Sequence, residues 1–138
     1  MTIKNLKFCI LSYGCAFYVL NFMLPCSAQE IKQPNVAGSF YPDNPQELSQ
    51  MIDTFLDAAK PQPVEGNIFA LISPHAGYGY SGQTAAFGYK LIKDRPYKTV
   101  IVIGRSHRYN FRGASVYPQG KFRTPLGDIE VDGVFAQK

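Results

Sequence analysis

Apolar and polar positions along the chain follow two different patterns, and each pattern predicts a different kind of element. Between Asn44 and Pro61 the apolar side chains recur every three or four residues, which is the period of an amphipathic helix that packs through one face. Asn44, Pro45 and Glu47 form a helix start, because Asn caps, Pro suits the first helical position and Glu closes a capping box. The pattern predicts a helix over residues 45–59.

Further along, two short runs are apolar at nearly every position. They are NIFALIS at 67–73 and TVIVIG at 99–104, and such runs are typical of strands that are buried on both faces of a parallel sheet. Residues 82–93 between them predict a buried helix. Strand, helix and strand in this order predict a right-handed βαβ unit, and we expect further strands at 113–119 and 127–132.

The first 28 residues have a composition of their own. A short basic start leads into an apolar core at 8–24 and then into small residues that end at Ala28. This order predicts a signal peptide over 1–28, a mature domain over 29–138, and export of the protein to the periplasm or out of the cell.

Two other fates of this leader stay open. An uncleaved membrane anchor is disfavoured because the apolar core is shorter than the ~20 residues that a membrane span prefers. Lipid attachment at Cys26 is disfavoured by Pro25 immediately before it. After signal removal we expect no stable membrane span.

Removal of the leader changes the cysteine and charge counts. All three cysteines lie within it, so we expect the mature chain to have no disulfide despite its export signal. Twelve basic residues against 10 acidic ones leave a mature net charge of +2. This charge is too small to indicate nucleic acid as a partner.

Each of the two histidines follows a predicted strand directly. His75 comes after the strand at 67–73, and His107 comes after the strand at 99–104. In a βαβ unit both strands run the same way, so both imidazoles lie at the sheet edge where α/β proteins place their ligand sites. Adjacent strands are ~4.8 Å apart, which lets the two side chains reach one ion. His75 and His107 are therefore candidate metal ligands, although a single histidine is more often structural.

Three glycines after His75 allow a different interpretation, because they spell the G-x-G-x-x-G of a dinucleotide-binding turn. Arg105 would then stand where a 2′-phosphate is selected. Four residues lengthen the turn before the first glycine, however, and two tyrosines place bulk where the pyrophosphate must approach. The pattern favours the metal site over a dinucleotide site.

Four segments carry a resemblance to a known family. They are AGSFYP (37–42), ISPHAGYGYSG (72–82), TVIVIGRSH (99–107) and FRTPLGDIEVD (122–132). In order and spacing these segments resemble the Memo-like family, whose bacterial members are called AmmeMemoRadiSam system protein B. The resemblance implies a three-layer α/β/α sandwich with a mostly parallel sheet, related to class III extradiol dioxygenases. In those enzymes two histidines and a carboxylate hold Fe(II), and His75 and His107 match the histidine positions.

The resemblance also has limits. In the Memo branch itself iron is associated with two histidines and a cysteine, while catalysis is unsettled, and other divalent metals stay open. Many relatives have a second histidine where this chain has Arg108. The family pattern continues well beyond residue 138, so the third ligand would lie outside this chain. Because its strands need cover on both faces, we expect an incomplete sandwich, either an N-terminal fragment or a truncated gene product.

Several residues near the two histidines are candidates for substrate binding. Tyr78 and Tyr80 either line a pocket or pack as ordinary aromatics. A basic rim for an anionic substrate, or simply a solvated face, is formed by Arg105, Arg108, Arg112, Lys121 and Arg123.

Other polar residues are assigned to structure. Ser106 is expected to stabilise a turn, because neither a base nor an orienting acid accompanies it as in a nucleophilic site. The last carboxylates have no topological reason to reach the histidines; they are Asp128, Glu130 and Asp132.

These features predict a non-haem metal site with a dioxygenase-like scaffold and a small-molecule or peptide ligand. The alternative is a non-catalytic binding or regulatory protein that presents the same groove to a peptide or partner. A metal-independent hydrolase that uses the same pocket is a third and less favoured hypothesis.

Overall fold

The computed structural model describes residues 30–138. The expected signal peptide at 1–28 lies outside the described residues, so export stays a prediction. The described elements are β1 (Ile31–Lys32), α1 (Pro45–Ala58), α2 (Tyr78–Ile92), β2 (Lys121–Thr124), β3 (Gly127–Glu130) and α3 (Gly133–Ala136). Within residues 30–138, no helix is long and apolar enough to cross a membrane.

The first long helix forms almost as the sequence pattern predicts. The Asn44 side-chain oxygen accepts hydrogen bonds from the backbone N–H groups of Gln46 at 2.9 Å and Glu47 at 3.0 Å, and Pro45 begins the helix. The stripe of apolar residues faces α2, and Leu48 is only 3% exposed. Local capping and one apolar face therefore account for α1.

The second long helix begins four residues earlier than the sequence predicts. Its first residue is Tyr78 rather than Gly82, and Gly77 before it has no side chain to cap the helix. The carbonyl of Phe40 instead accepts a hydrogen bond from the Tyr78 N–H at 2.7 Å. A contact with the arm that precedes α1 thus defines the start of α2, and no local sequence pattern contains that information.

The core lies between α1 and α2. The buried residues at this interface are Leu48, Ala59, Ser81 and Ala86; Gly120, next to β2, is also buried. Lys90 strengthens the contact, because its ammonium donates to the Leu56 carbonyl at 2.6 Å, one of the carbonyls that a helix end leaves unpaired.

The sheet of the described residues is small and mixed. Strand β2 lies in the centre, parallel to β1 and antiparallel to β3. A two-residue turn joins β2 to β3. Gly127, directly after this turn, has a φ of 128°, a backbone conformation that residues other than glycine rarely adopt. The strand predicted at 127–132 is confirmed for Gly127–Glu130.

The prediction of regular strands at 67–73, 99–104 and 113–119 is wrong for this structure. These segments have no ladder of hydrogen bonds in the described chain, so the expected parallel pair of the βαβ unit is not formed. Most of their side chains are open to solvent, as Ile72 at 99% and Ile103 at 92% exposure show. A strand needs a hydrogen-bonding neighbour, unlike a helix, whose backbone pairs with itself. The mixed α/β class is confirmed, and the three-layer sandwich stays a prediction.

Candidate metal centre

The structure brings His75 and His107 together although 32 residues separate them. Their Nε2 atoms are 3.3 Å apart, and the ring centroids are 5.4 Å apart with an interplanar angle of 59°. Both residues are exposed to solvent. The chain segments that precede the two histidines are also linked, because the Tyr97 hydroxyl donates a hydrogen bond to the Ile68 carbonyl at 2.8 Å. The two histidines are thus neighbours without a regular parallel ladder between those segments.

The separation of the two Nε2 atoms fits a metal ion held between them. With metal–nitrogen bonds of about 2.0–2.1 Å, nitrogens 3.3 Å apart correspond to an N–metal–N angle of about 104–111°, close to the tetrahedral angle. The same separation also fits a long hydrogen bond between two neutral imidazoles. The donor chemistry therefore suits a divalent metal, and the rival arrangement is a direct contact between the rings.

Within the described residues, no group of three or more His, Cys, Asp and Glu side chains could hold a metal ion. The last carboxylates have partners elsewhere. Asp128 pairs with Arg123 at 2.8 Å, Glu130 pairs with Lys121 at 2.9 Å, and the Asp132 carboxylate accepts a hydrogen bond from the Thr99 hydroxyl at 2.8 Å. Lys121 and Arg123 are therefore engaged within the β2–β3 hairpin, and the basic rim that included them has no support here.

The loop that carries His75 is held at two points. The Phe40 carbonyl binds the N–H of Tyr78, as described above, and the Ser81 hydroxyl donates to the Ala76 carbonyl at 2.9 Å. Sequence reasoning missed Ser81. Ser81 could have been found from its position four residues before Ala85, because this spacing places its hydroxyl on the apolar face of the helix.

Two of the three glycines that follow His75 belong to α2 rather than to a turn. They are Gly79 and Gly82. A side chain at Gly82 would collide with the ring of Phe55, so this glycine permits the close approach of α2 to α1. The helical conformation also leaves no dinucleotide-binding turn at these positions.

The two tyrosines proposed for substrate binding lie in unlike surroundings. Tyr78 is half-buried against Tyr41, with ring centroids 5.3 Å apart. Burial, and to a smaller extent the neighbouring Tyr41 and Tyr89, raise the pKa of the Tyr78 hydroxyl. Tyr80 is 93% exposed. Tyr78 thus packs against Tyr41 and also lines the cavity described below, while Tyr80 lies open to solvent.

The segment around His107 is exposed along its length. Arg105 and Arg108 flank the histidine and are both solvent-exposed. The Ser106 hydroxyl accepts a hydrogen bond from the Tyr109 N–H at 3.1 Å, which confirms the expectation that Ser106 stabilises the turn.

An apolar cavity of about 650 Å³ opens beside His75. It lies between the arm that precedes α1 and the facing sides of α1 and α2. Its aromatic and aliphatic lining includes Phe40, Tyr41, Ile52, Phe55, Tyr78 and Tyr89. The volume lies in the range of pockets that accept small organic molecules.

Comparison with known proteins decides the family. The family model described as Memo-like protein matches residues 32–138, which is most of the chain and all but two of the described residues. The chain belongs to the Memo-like family. The resemblance drawn from the four sequence segments is thereby confirmed.

Relatives of this Memo-like chain come from distant organisms. It is 39% identical over 106 residues to a MEMO1 family protein of Thermoplasma acidophilum, covering 77% of the chain and 39% of that protein. It is 37% identical over 121 residues to the memo-1 homolog of Caenorhabditis elegans, covering 82% of the chain and 34% of that protein. The chain thus spans well under half the length of these curated relatives. No solved structure matches the chain.

Proposed function

We propose that this chain supplies the two-histidine part of a metal site in a Memo-like protein. His75 and His107 are the metal ligands in this proposal. The observation that carries it is the 3.3 Å separation of their Nε2 atoms, which matches two imidazoles bound to one ion. The two residues are 32 positions apart in sequence.

The resemblance to extradiol dioxygenases favours Fe(II) as the metal, and other divalent ions that accept imidazole ligands are compatible with the same pair. Bound Fe(II) would supply coordination positions for dioxygen and for a substrate. The residues of this chain would hold the ion through neutral imidazoles and leave the solvent side of the pair accessible. Arg105 and Arg108, on either side of His107, would attract an anionic group of a substrate toward that side.

The second candidate function is a non-catalytic binding or regulatory role. The observation that favours it is the apolar cavity of about 650 Å³ beside His75, which offers an apolar peptide side chain or small molecule a place to bind without chemistry. In this reading the two histidines contact each other directly, and no metal is required.

A titration of the full-length chain with Co(II), followed by its visible absorption, separates the two candidates. We expect one bound ion per chain, and we expect His75→Ala and His107→Ala each to abolish the absorption, because each removes one of two nitrogen ligands. Arg112→Ala is the matched control, since Arg112 is exposed in the same segment and has no part in the pair; it should bind Co(II) as the wild type does.

The results that contradict the proposal are equally specific. If both histidine variants bind Co(II) as tightly as the wild type, the pair is not the metal site. The binding role is favoured instead if the wild type binds no Co(II) but binds an apolar fluorescent probe, and if Ala85→Leu, which adds bulk to the lining of the cavity, weakens binding of the probe.

A further inference from the structure

Ser81 is the one polar residue among the buried residues of the described chain. It is 8% exposed and lies in the first turn of α2, where the other buried positions are apolar. A hydroxyl removed from water costs free energy unless it finds a hydrogen-bond partner. The shorter of its two hydrogen bonds goes to the carbonyl of Ala76 at 2.9 Å, outside the helix and directly after His75; the other goes to the Gly77 carbonyl at 3.5 Å.

The hydrogen bond joins a rigid element to an otherwise irregular loop. Residues 71–75 have no regular structure, and Gly77 provides no side-chain cap at the start of α2. The main bond of the Ser81 hydroxyl reaches back five residues, one residue beyond the Gly77 carbonyl that accepts from the Ser81 N–H, and it holds the peptide group between Ala76 and Gly77. The backbone position of His75 is thereby tied to α2.

We propose that Ser81 is a positioning residue for His75, which holds the loop so that the imidazole meets His107. This inference rests on the proposed metal site and adds a residue that acts through the backbone rather than by contact with the ion. The hydroxyl of Ser81 is committed as a donor to the Ala76 carbonyl, and its role is to limit the positions that His75 can take. Metal sites lose affinity when the groups that orient their ligands are removed.

Another hydroxyl in the chain provides a comparison. Thr54 donates to the Gln50 carbonyl at 2.7 Å within α1, so it makes the same kind of bond inside a helix and away from the histidines. Removal of the Thr54 hydroxyl should therefore leave the metal site unchanged, although it removes a similar contact.

The test compares Ser81→Thr with Ser81→Val in the full-length chain. Thr and Val have nearly the same shape, and only Thr keeps the hydroxyl. We expect Ser81→Thr to bind Co(II) close to wild type, and Ser81→Val to bind about tenfold more weakly with a shifted visible absorption band. Thr54→Ala should change neither quantity. Circular dichroism at the titration temperature shows that each variant is folded.

Equal Co(II) affinity and equal spectra for the Thr and Val variants would overturn the inference while leaving the two-histidine site intact. Loss of binding in the Thr variant as severe as in the Val variant would also overturn it, because the hydroxyl would then not be the cause. If neither β-branched variant folds, Ser81→Ala against wild type decides by the same criterion. Unchanged binding in His75→Ala and His107→Ala would instead remove the proposed site itself.

Discussion

The two long helices and the two apolar segments at 67–73 and 99–104 all carry apolar side chains, but these side chains reach different states. Between α1 and α2 the apolar side chains meet, and Leu48 is nearly inaccessible to solvent. Along 99–104 every residue is exposed. The difference shows that an apolar sequence alone does not ensure burial. A helix completes its own backbone hydrogen bonds and then needs only a surface for its apolar face, whereas a strand also needs a neighbouring strand for its backbone.

The largest expected effect tests this contrast with one kind of substitution in both regions. Leu48→Ala should lower the free energy of unfolding by about 2–5 kcal/mol, because it leaves a cavity in the helix interface. Ile103→Ala should change it by no more than about 0.5 kcal/mol, since Ile103 is 92% exposed and loses no packing. Urea denaturation followed by circular dichroism measures both values. Similar losses in the two variants would mean that the extended segment is packed in solution.

A smaller effect sharpens the description of the helix interface. Gly82→Ala should destabilise the chain by about 1–3 kcal/mol, because the added methyl group meets the ring of Phe55 and overpacks the contact. Gly79→Ala in the same helix has open space around it and should stabilise by about 0.5–1 kcal/mol through helix propensity. The same denaturation experiment checks the opposite signs. A stabilising Gly82→Ala would show that the two helices are further apart than described.

The smallest effect concerns the β2–β3 hairpin, where the two strands pair with each other. Hydrogen bonding from Arg123 is the main cause that lowers the pKa of Asp128 below its ordinary value of 3.8. The ion pair therefore stabilises the hairpin above about pH 3.8, and this contribution is lost as the pH falls through the lowered pKa. Both side chains are solvent-exposed, so the effect is small.

Amide chemical shifts of the hairpin, followed by NMR between pH 6 and pH 2, should report this transition. Asp128→Asn should remove it while it leaves the shifts of α1 unchanged. A titration midpoint at or above the ordinary value for Asp would contradict the ion pair.

The site was more predictable than the sheet. The positions of His75 and His107 after two apolar runs led to the expectation that they meet, and they do lie 3.3 Å apart at Nε2. The reasoning assumed a parallel ladder, which the structure lacks in the described residues. The two histidines still lie close together because contacts such as the hydrogen bond from the Tyr97 hydroxyl to the Ile68 carbonyl bring their segments together. Whether the pair binds metal stays a proposal.

The local sequence determined those features of the fold that depend on residues close together in the chain. Asn44 and Pro45 begin α1, the apolar stripe after them selects its buried face, and the turn before Gly127 returns β2 to β3. Each of these features depends on residues that are close in sequence, and the free energy of burying the stripe is then gained against α2.

Only the tertiary structure decided where α2 begins and what its polar residue does. The start at Tyr78 depends on the carbonyl of Phe40, 38 residues earlier, and the bond from Ser81 to Ala76 depends on the path of the loop. The apolar runs at 67–73 and 99–104 have no strand paired with them among residues 30–138. Their backbone groups need partners from elsewhere in space, and an apolar pattern along one segment does not specify those partners.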